Sequence, residues 1–454
     1  MTKKINIGVI GAGYVGLVSA ASFAEFGFNV LCMDKDEQKL SALQAGKTPI
    51  YEPGLENLIN KNSVEKRLQF TSSLKDIVQR SDVIFVAVGT PTCMIERRPD
   101  LRYVTEVAKE LAPLLSADRK VIVLKSTVPV GSCRHFANLI RTLNERVNIE
   151  VVSNPEFLRE GSALYDFFNP DRIIIGVEQE CSQKIMDILY EPLIHKEIPV
   201  LYTDLETSEM IKYASNSFLA TKIAFINELS DFCETMGADI EKIALGMGLD
   251  KRIGEKYLQV GPGYGGSCFP KDTIALAYQA KIVDNPLTII ETVIASNENR
   301  KQKMIEKIIL ACGGSVSGKK LAVLGVAFKA NTDDIRDSAA VTIIQGLMEN
   351  KAEVTVYDPV VKNKSKEILP KVIWAEGCYS AIEGADAIVI LTEWQEFKDL
   401  DLQKVKEQFN SKPIIIDLRN LYDPKRMALM GIDYYSVGRK PSFVSYVERE
   451  VLIL

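Results

Sequence analysis

The 454-residue sequence predicts an α/β protein with two doubly wound parallel-sheet domains joined by a central region of long helices. Three observations carry that expectation. Apolar strand-like runs alternate with helical ones to about residue 200. From 201 to about 312 the apolar residues recur at helical spacing with no strand between them, and from 313 to 454 the strand and helix alternation resumes. A chain of this length exceeds one ordinary core, so division into domains over 1–200, 201–312 and 313–454 is expected.

Composition narrows the class of function. A hydrophobic share of 46% with 25% charged residues is that of a globular protein. The formal net charge of −5 provides no basic footprint, which argues against nucleic acid as a partner and means that any phosphate must be met by local cations. Met1–Lys4 runs straight into an apolar strand without a leader-like segment, and no apolar run reaches membrane-spanning length. A cytoplasmic protein with no membrane partner is therefore expected. The eight cysteines (32, 93, 133, 181, 233, 268, 312, 378) are scattered singly, so neither a disulfide framework nor a metal site is indicated. His135 and His195, the only histidines, lie in no motif and read as structural.

The first strand, Ile5–Ile10, is followed by Gly11-Ala12-Gly13-Tyr14-Val15-Gly16, which opens an apolar helix through Phe26. In that context Gly11 makes the tight turn, Gly13 lets a pyrophosphate approach the backbone and Gly16 allows close helix–strand packing. A second strand, Asn29–Met33, ends in Asp34, whose carboxylate is placed to accept from ribose hydroxyls and to repel a 2′-phosphate, so NAD is favoured over NADP. The domain is thus Rossmann-like. Strands Asp82–Val88 and Lys120–Leu124 end in small hydroxyl residues, and Thr90 and Thr127 are candidate cofactor contacts that could equally cap the following helices. After strand Ile149–Val152, Glu156 and Glu160 are four apart and would face one way in a helical turn.

From Asp204 a helix near 30 residues is expected, long enough for a spine between domains or between subunits. Lys212 and Asn216 interrupt one of its faces, and both could donate to a developing oxyanion. The stretch Gly263-Tyr264-Gly265-Gly266-Ser267-Cys268-Phe269-Pro270-Lys271-Asp272 then places a cysteine at the mouth of another helix. There, unpaired N–H groups and the helix dipole favour thiolate, and Asp272 shares the sulfur's face. A further long helix is expected over 286–309. In the last domain, Gly313–Lys320 is not a phosphate-binding P-loop, since it precedes a strand and has Lys320 where Ser or Thr is needed. Strand Leu321–Leu324 leads into a loop carrying Lys329 and Arg336, two cations suited to phosphate. With no second G-x-G-x-x-G, this domain should bind something other than a dinucleotide.

Five motifs in order, namely Gly11-Ala-Gly-Tyr-Val-Gly-Leu17, Asn154-Pro-Glu-Phe-Leu-Arg-Glu160, the helix with Lys212 and Asn216, Gly265-Gly-Ser-Cys-Phe-Pro-Lys-Asp272, and Phe328-Lys329 with Asp334-x-Arg336, resemble the UDP-glucose/GDP-mannose dehydrogenase family over essentially the whole chain. The resemblance implies an NAD-dependent enzyme that oxidises UDP-glucose at C6 to UDP-glucuronate, a four-electron change through a thiohemiacetal and a thioester on Cys268. Lys212 and Asn216 would stabilise oxyanions, Asp272 and a water would handle protons, and Glu156 would assist thioester hydrolysis with Thr127 ordering the water. Lys212 and Asp272 can each be argued as the first base. For NAD the resemblance implies Gly11, Gly13, Val15, Gly16, Asp34, Lys39, Thr90, Thr127, Glu160, Lys271 and Arg336. For the sugar nucleotide it implies Glu156, Phe157, Leu158, Arg159 and Glu160, then Lys212, Asn216, Tyr257, Leu258, Gln259, Val260, Gly261, Gly265, Lys329 and Arg419. Arg252 would reach the substrate of a neighbouring subunit in a homodimer or higher oligomer built on the long helix. One departure is the bulky, basic loop Cys93–Pro99, where the family carries a short acidic loop with a glycine. GDP-mannose as substrate is the nearest alternative; a two-electron hydroxyacid dehydrogenase and a non-catalytic ligand sensor are the others.

Overall fold

The computed structural model describes residues 5–93, 98–361 and 366–443. It divides into two compact units, residues 1–215 with 274–286 and residues 216–273 with 287–454.

The first unit is built on an eight-stranded sheet: β1 (Asn6–Ile10), β2 (Asn29–Met33), β3 (Leu68–Thr71), β4 (Val83–Val86), β5 (Lys120–Leu124), β6 (Ile149–Ser153), β7 (Ile173–Gly176) and β8 (Val200–Thr203). The spatial order is β8-β7-β6-β5-β4-β1-β2-β3. Its 3-2-1-4-5-6 core is that of a doubly wound dinucleotide fold, with the strand order reversing between β1 and β4. Strands such as Val83–Val86 are buried at every position because each face carries its own apolar layer. One layer centres on Phe23 of α1 (Tyr14–Glu25), whose ring lies 5.0 Å from Phe85 and 5.6 Å from Tyr190. The strands from β3 to β6 are parallel, whereas β7 meets β6 antiparallel and β8 follows β7 in parallel. Between β6 and β7 the chain spends its length on an irregular stretch and the six-residue helix Ala163–Phe168, too little helix for the usual crossover back to a parallel strand.

Helix α2 (Ser132–Leu143) follows β5, and α3 (Leu205–Met236) is a single 32-residue helix, about 48 Å long at 1.5 Å per residue. It begins in the first unit and ends in the second. Helices α4 (Phe269–Ile282) and α5 (Thr288–Ala311) complete the middle of the chain.

The second unit contains β9 (Lys320–Leu324), β10 (Glu353–Tyr357), β11 (Ile373–Trp374), β12 (Ala387–Ile390), β13 (Ile414–Asp417) and β14 (Asp433–Tyr435), ordered β11-β10-β9-β12-β13-β14 and parallel throughout. This is the 3-2-1-4-5-6 order again. The local turn is repeated as well: Gly11 N–H donates to Met33 C=O at 2.8 Å, and Gly325 N–H donates to Tyr357 C=O at 2.8 Å. Ala12 N–H then reaches Asp34 Oδ2 at 2.8 Å, as Val326 N–H reaches Asp358 Oδ2 at 2.8 Å. The two acids have different fates. Asp358 is buried and also accepts from Ala327, Val360 and Val361 N–H groups and from the Trp394 indole, so its carboxylate is committed to the fold.

The short edge strands β3, β8, β11 and β14 escape the sequence reading because their positions alternate or lie half exposed and never make a continuous apolar run. Among the described residues no helix is long and apolar enough to cross a membrane, and no group of three His, Cys, Asp or Glu side chains is placed to hold a metal ion.

Candidate active site

In the first unit the glycine turn after β1 is shaped by packing on two sides and open on the third. Gly11 has φ +102°, and a Cβ there would lie 2.7 Å from Ala87 O, while one on Gly16 would lie 1.8 Å from Gly11 O. A Cβ on Gly13 would meet nothing within 4 Å. Gly13 is therefore the point where a phosphate can approach the backbone at the N-terminus of α1, with Val15 on the first turn beside it. Asp34 accepts from Ala12 N–H, from Asp36 N–H at 3.0 Å and from the Lys39 ammonium at 3.0 Å. Burial alone would raise its carboxyl, but these donors outweigh burial and hold it below its ordinary value. It is thus an ionised acceptor at the position where a ribose diol would lie. The Asp34→Ala variant is expected to bind NAD on the order of 10- to 100-fold more weakly, the worth of a charged hydrogen-bond acceptor, and to bind sugar nucleotide unchanged by calorimetry. Equal loss for both ligands would count against this assignment.

Thr90 and Thr127 do not cap helices. The Thr90 hydroxyl donates to Thr127 C=O at 2.8 Å, which ties the ends of β4 and β5 together. The N-terminus of α2 is met instead by Glu209 of α3, whose carboxylate accepts from Gly131 N–H at 2.6 Å and Cys133 N–H at 2.7 Å.

The stretch Asn154–Arg159 is not a helical turn, contrary to the spacing argument for Glu156 and Glu160. Pro155 disfavours the helical region for Asn154, and the carboxylate of Glu156 folds back to accept Leu158 N–H at 2.5 Å. Its other oxygen accepts from Lys212 Nζ at 3.2 Å, and both side chains are buried. Lys212 Nζ also lies 5.1 Å from the centre of the Phe157 ring, which the Arg172 guanidinium covers at 3.7 Å. Arg159 pairs with Asp166, and Glu160 is buried at the end of the stretch. Behind this pair lies a cluster that the sequence reading misses. Lys125 Nζ donates to Asn154 Oδ1 at 3.1 Å and Tyr190 OH at 3.2 Å, and Tyr190 OH donates to the same Asn154 oxygen at 2.6 Å. Desolvation pushes the Lys125 ammonium down to about 8; Glu156 pulls it up and Lys212 pushes it down. Lys125 stood in the hydroxyl-rich strand end, but nothing local marks a lysine whose partners are 29 and 65 residues away.

In the second unit Cys268 is the N-cap residue of α4: its C=O accepts Asp272 N–H at 2.9 Å, and Pro270 occupies the first turn. The sulfur is partly exposed and lies 3.6 Å from the Ser267 hydroxyl. Asp272 is fully buried, accepts from Asn216 Nδ2 at 2.6 Å and is paired with the Lys271 ammonium. The glycines before the cysteine are there for contact. A Cβ on Gly265 would lie 2.4 Å from Asp337 O, and Gly266, at φ +83°, would drive one into the Phe328 ring at 2.8 Å. Next to them Tyr257 holds φ +68°, a left-handed conformation that costs a tyrosine about 1–3 kcal/mol and so must be enforced by its surroundings. Leu258 and Val260 are buried in the core and Gln259 is exposed, so the loop through Gly261 offers a ligand one side chain in two and its backbone. Arg419 Nη1 is 3.1 Å from where a Gly261 Cβ would be, and Arg419 donates to Leu391 C=O at 2.8 Å and Phe328 C=O at 2.9 Å. Both carbonyls lie beyond the ends of β9 and β12, where the strand order reverses, and Lys329 sits on the same loop as Phe328. Arg336 and Arg252 are exposed and pair with Asp334 and Asp250. Of the basic loop Cys93–Pro99, residues 94–97 lie outside the described residues.

The cofactor candidates from Gly11 to Thr127, the Glu156–Glu160 stretch and Lys212 thus belong to the first unit. Asn216, Cys268, Lys271, Asp272 and the candidates for the nucleotide belong to the second. In the first unit the Gly-rich cradle and the ionised acid at a strand end suit a dinucleotide; in the second a cysteine caps a helix that carries a buried Asp held by Asn216. Family models for the UDP-glucose/GDP-mannose dehydrogenase family match three successive segments: the NAD binding domain over residues 5–194, the central domain over 206–299 and the UDP binding domain over 322–424. The chain belongs to the UDP-glucose/GDP-mannose dehydrogenase family. It is an NAD-dependent dehydrogenase. Among its relatives is a UDP-glucose 6-dehydrogenase of Rhizobium meliloti (strain 1021), 48% identical over 437 residues, which span 96% of this chain and 100% of that one. UDP-glucose 6-dehydrogenase YwqF of Bacillus subtilis (strain 168) is 45% identical over 438 residues, 96% of this chain and 98% of its own. Among solved structures, a UDP-glucose dehydrogenase from the hyperthermophilic archaeon Pyrobaculum islandicum aligns with a TM-score of 0.89 at 34% identity, covering 97% of this chain and 99% of that one. Within the family, the buried positions of Lys212, Glu156, Asn216 and Asp272 and the exposed edge of Cys268 are the residues left to explain chemically.

Proposed function

We propose that this dehydrogenase oxidises UDP-glucose at C6 to UDP-glucuronate, consuming two NAD⁺ and one water. The observation that carries the reading is the thiol of Cys268 at the N-terminus of α4, one helical turn from an Asp272 that Asn216 holds in place. An alcohol dehydrogenase needs no cysteine, whereas a four-electron enzyme needs a group that keeps the aldehyde bound. NAD⁺, when bound, would supply the hydride acceptor. Everything else falls to side chains. A base, Lys212 or Asp272, takes the C6 hydroxyl proton as the first hydride leaves. The Cys268 sulfur adds to the aldehyde carbon, and the oxygen that becomes negative is met by N–H donors of Lys212 and Asn216. Loss of a second hydride converts the thiohemiacetal to a thioester. Water, ordered by Thr127 and deprotonated with help from Glu156, attacks the thioester, and the thiolate leaves. The uridine diphosphate is assigned to the loop Tyr257–Gly261 with Gly265, Lys329 and Arg419, and the NAD contacts extend to Glu160, Lys271 and Arg336. The three-part division at about 200 and 312 describes these roles: cofactor, catalytic helices, nucleotide. Names and full-length coverage of the relatives support UDP-glucose over GDP-mannose.

The deciding experiment counts NADH released per sugar consumed over a panel of UDP- and GDP-sugars. Two NADH per UDP-glucose is expected. One NADH with released aldehyde overturns the four-electron reading, and preferred turnover of GDP-mannose overturns the substrate.

A homodimer through α3, acting in the cytoplasm, is part of this proposal. Phe218, Phe225 and Phe232 recur every seven residues on that helix and are 65%, 50% and 61% exposed, an apolar stripe suited to a second copy. Arg252 of each copy would then serve the other's substrate. Phe225→Glu is expected to halve the molar mass measured by light scattering; an unchanged mass would remove the stripe from the interface.

A further inference from the structure

The segment from Gly254 to Cys268 has no helix or strand of its own, yet it carries both the nucleotide loop and the cysteine. Its place must be set by something else. Gly261 N–H donates to Asn227 Oδ1 at 2.9 Å, and Gly261 C=O accepts from Arg300 Nε at 3.0 Å. Three residues on, Tyr264 N–H donates to Asn297 Oδ1 at 2.8 Å, and Tyr264 C=O accepts from Asn297 Nδ2 at 3.0 Å. All four peptide groups of these two residues are thus held by three side chains, each with under 5% exposure. Arg300 is itself anchored on α3, through Asn227 C=O at 3.2 Å and an ion pair with Asp231. Asn297 and Arg300 lie one turn apart on α5, so one rigid helix fixes both ends of Gly261–Tyr264, four residues before the sulfur.

We infer that Asn297 and Arg300 are positioning residues for Cys268: they hold the loop so that the thiol captures the aldehyde before it escapes. This rests on the four-electron reading above. A displacement of about 1 Å costs on the order of 10²-fold in a step that depends on alignment, so the step that needs the sulfur should suffer selectively. The first oxidation removes a hydride and a proton from the alcohol and does not need the thiol.

The test compares Asn297→Ala and Arg300→Lys with wild type and with Asn299→Ala, an exposed neighbour on α5. The readouts are the ratio of NADH to UDP-glucuronate, the aldehyde trapped by a hydrazine probe, and the thermal unfolding transition as the check that each variant is folded. Wild type and Asn299→Ala should hold the ratio at two with no trapped aldehyde. Asn297→Ala and Arg300→Lys should raise the ratio and release aldehyde, with kcat for acid lowered about 10²-fold and KM for the sugar changed far less. Arg300→Lys keeps the charge facing Asp231, so it tests the geometry if Asn297→Ala fails to fold. A ratio that stays at two in the folded variants, however slow they are, overturns the positioning role. One NADH per UDP-glucose consumed in wild type, with aldehyde and no UDP-glucuronate, defeats the four-electron reading instead, and the two failures cannot be confused.

Discussion

Cys268→Ser is expected to abolish formation of UDP-glucuronate, lowering kcat for acid by roughly 10⁴-fold or more, the scale seen when a covalent nucleophile is removed. That corresponds to about 5 kcal/mol of transition-state stabilisation at 1.36 kcal/mol per decade. The sugar itself should still bind with near wild-type affinity, because the sulfur sits at the mouth of α4 and the loop through Gly261 is held by Asn227, Arg300 and Asn297 without it. Serine fits the N-cap at least as well as cysteine, so the helix should not loosen. Its hydroxyl is a far poorer nucleophile at neutral pH than a thiol. The variant should therefore separate binding from chemistry. NADH and acid formation measured together with sugar affinity make the check: normal acid production would refute the covalent route, and loss of sugar affinity would recast the cysteine as a structural residue.

The parts of the molecule that were legible in the sequence are those whose causes are local. Gly11, Gly13 and Gly16 announce their turn because a Cβ at two of them would collide with backbone, and Pro270 announces the start of α4 because a first turn has no need of its missing N–H. The buried strands read as such because both faces of the sheet are covered. What stayed hidden depends on residues far apart in the chain. Glu156 and Glu160 look like neighbours on a helix until Lys212, 56 residues away, and Leu158 N–H claim the first of them. Lys125 gives no sign of burial because its partners come from the residue after β6 and the helix after β7. Asn297 and Arg300 read as ordinary polar residues of α5, and their meaning comes from the backbone of Gly261 and Tyr264, over 30 residues earlier. Asp358 repeats Asp34 without a shared G-x-G-x-x-G motif, and the Ala327, Val360 and Val361 N–H groups together with the Trp394 indole are what commit it to the fold.

Glu156→Gln is expected to trap the enzyme as its thioester. If Glu156 serves the hydrolysis, both hydride transfers precede the step it assists, so mixing the variant with UDP-glucose and NAD⁺ should give a rapid burst of two NADH per active site. Turnover should then be slower by about 10² to 10⁴-fold, the contribution of a general base. Intact mass spectrometry should find the acylated protein, and digestion should place the acyl group on Cys268. The glutamine keeps the shape and one of the two acceptor oxygens, enough to accept from Leu158 N–H, so the stretch from Asn154 should stand while the contact to Lys212 is lost. The substitution also removes the negative charge beside the buried Lys212 ammonium, with the Lys125 ammonium close behind it. Two cations left without their carboxylate would repel each other and displace the Lys212 ammonium from the place where it serves the first oxidation. The two effects leave different traces. A lost hydrolytic base shows a full burst and an accumulated thioester; a disturbed Lys212 shows slow formation of the first NADH and no covalent protein. The second outcome would move Glu156 from the hydrolysis of the thioester to the electrostatics of the first oxidation.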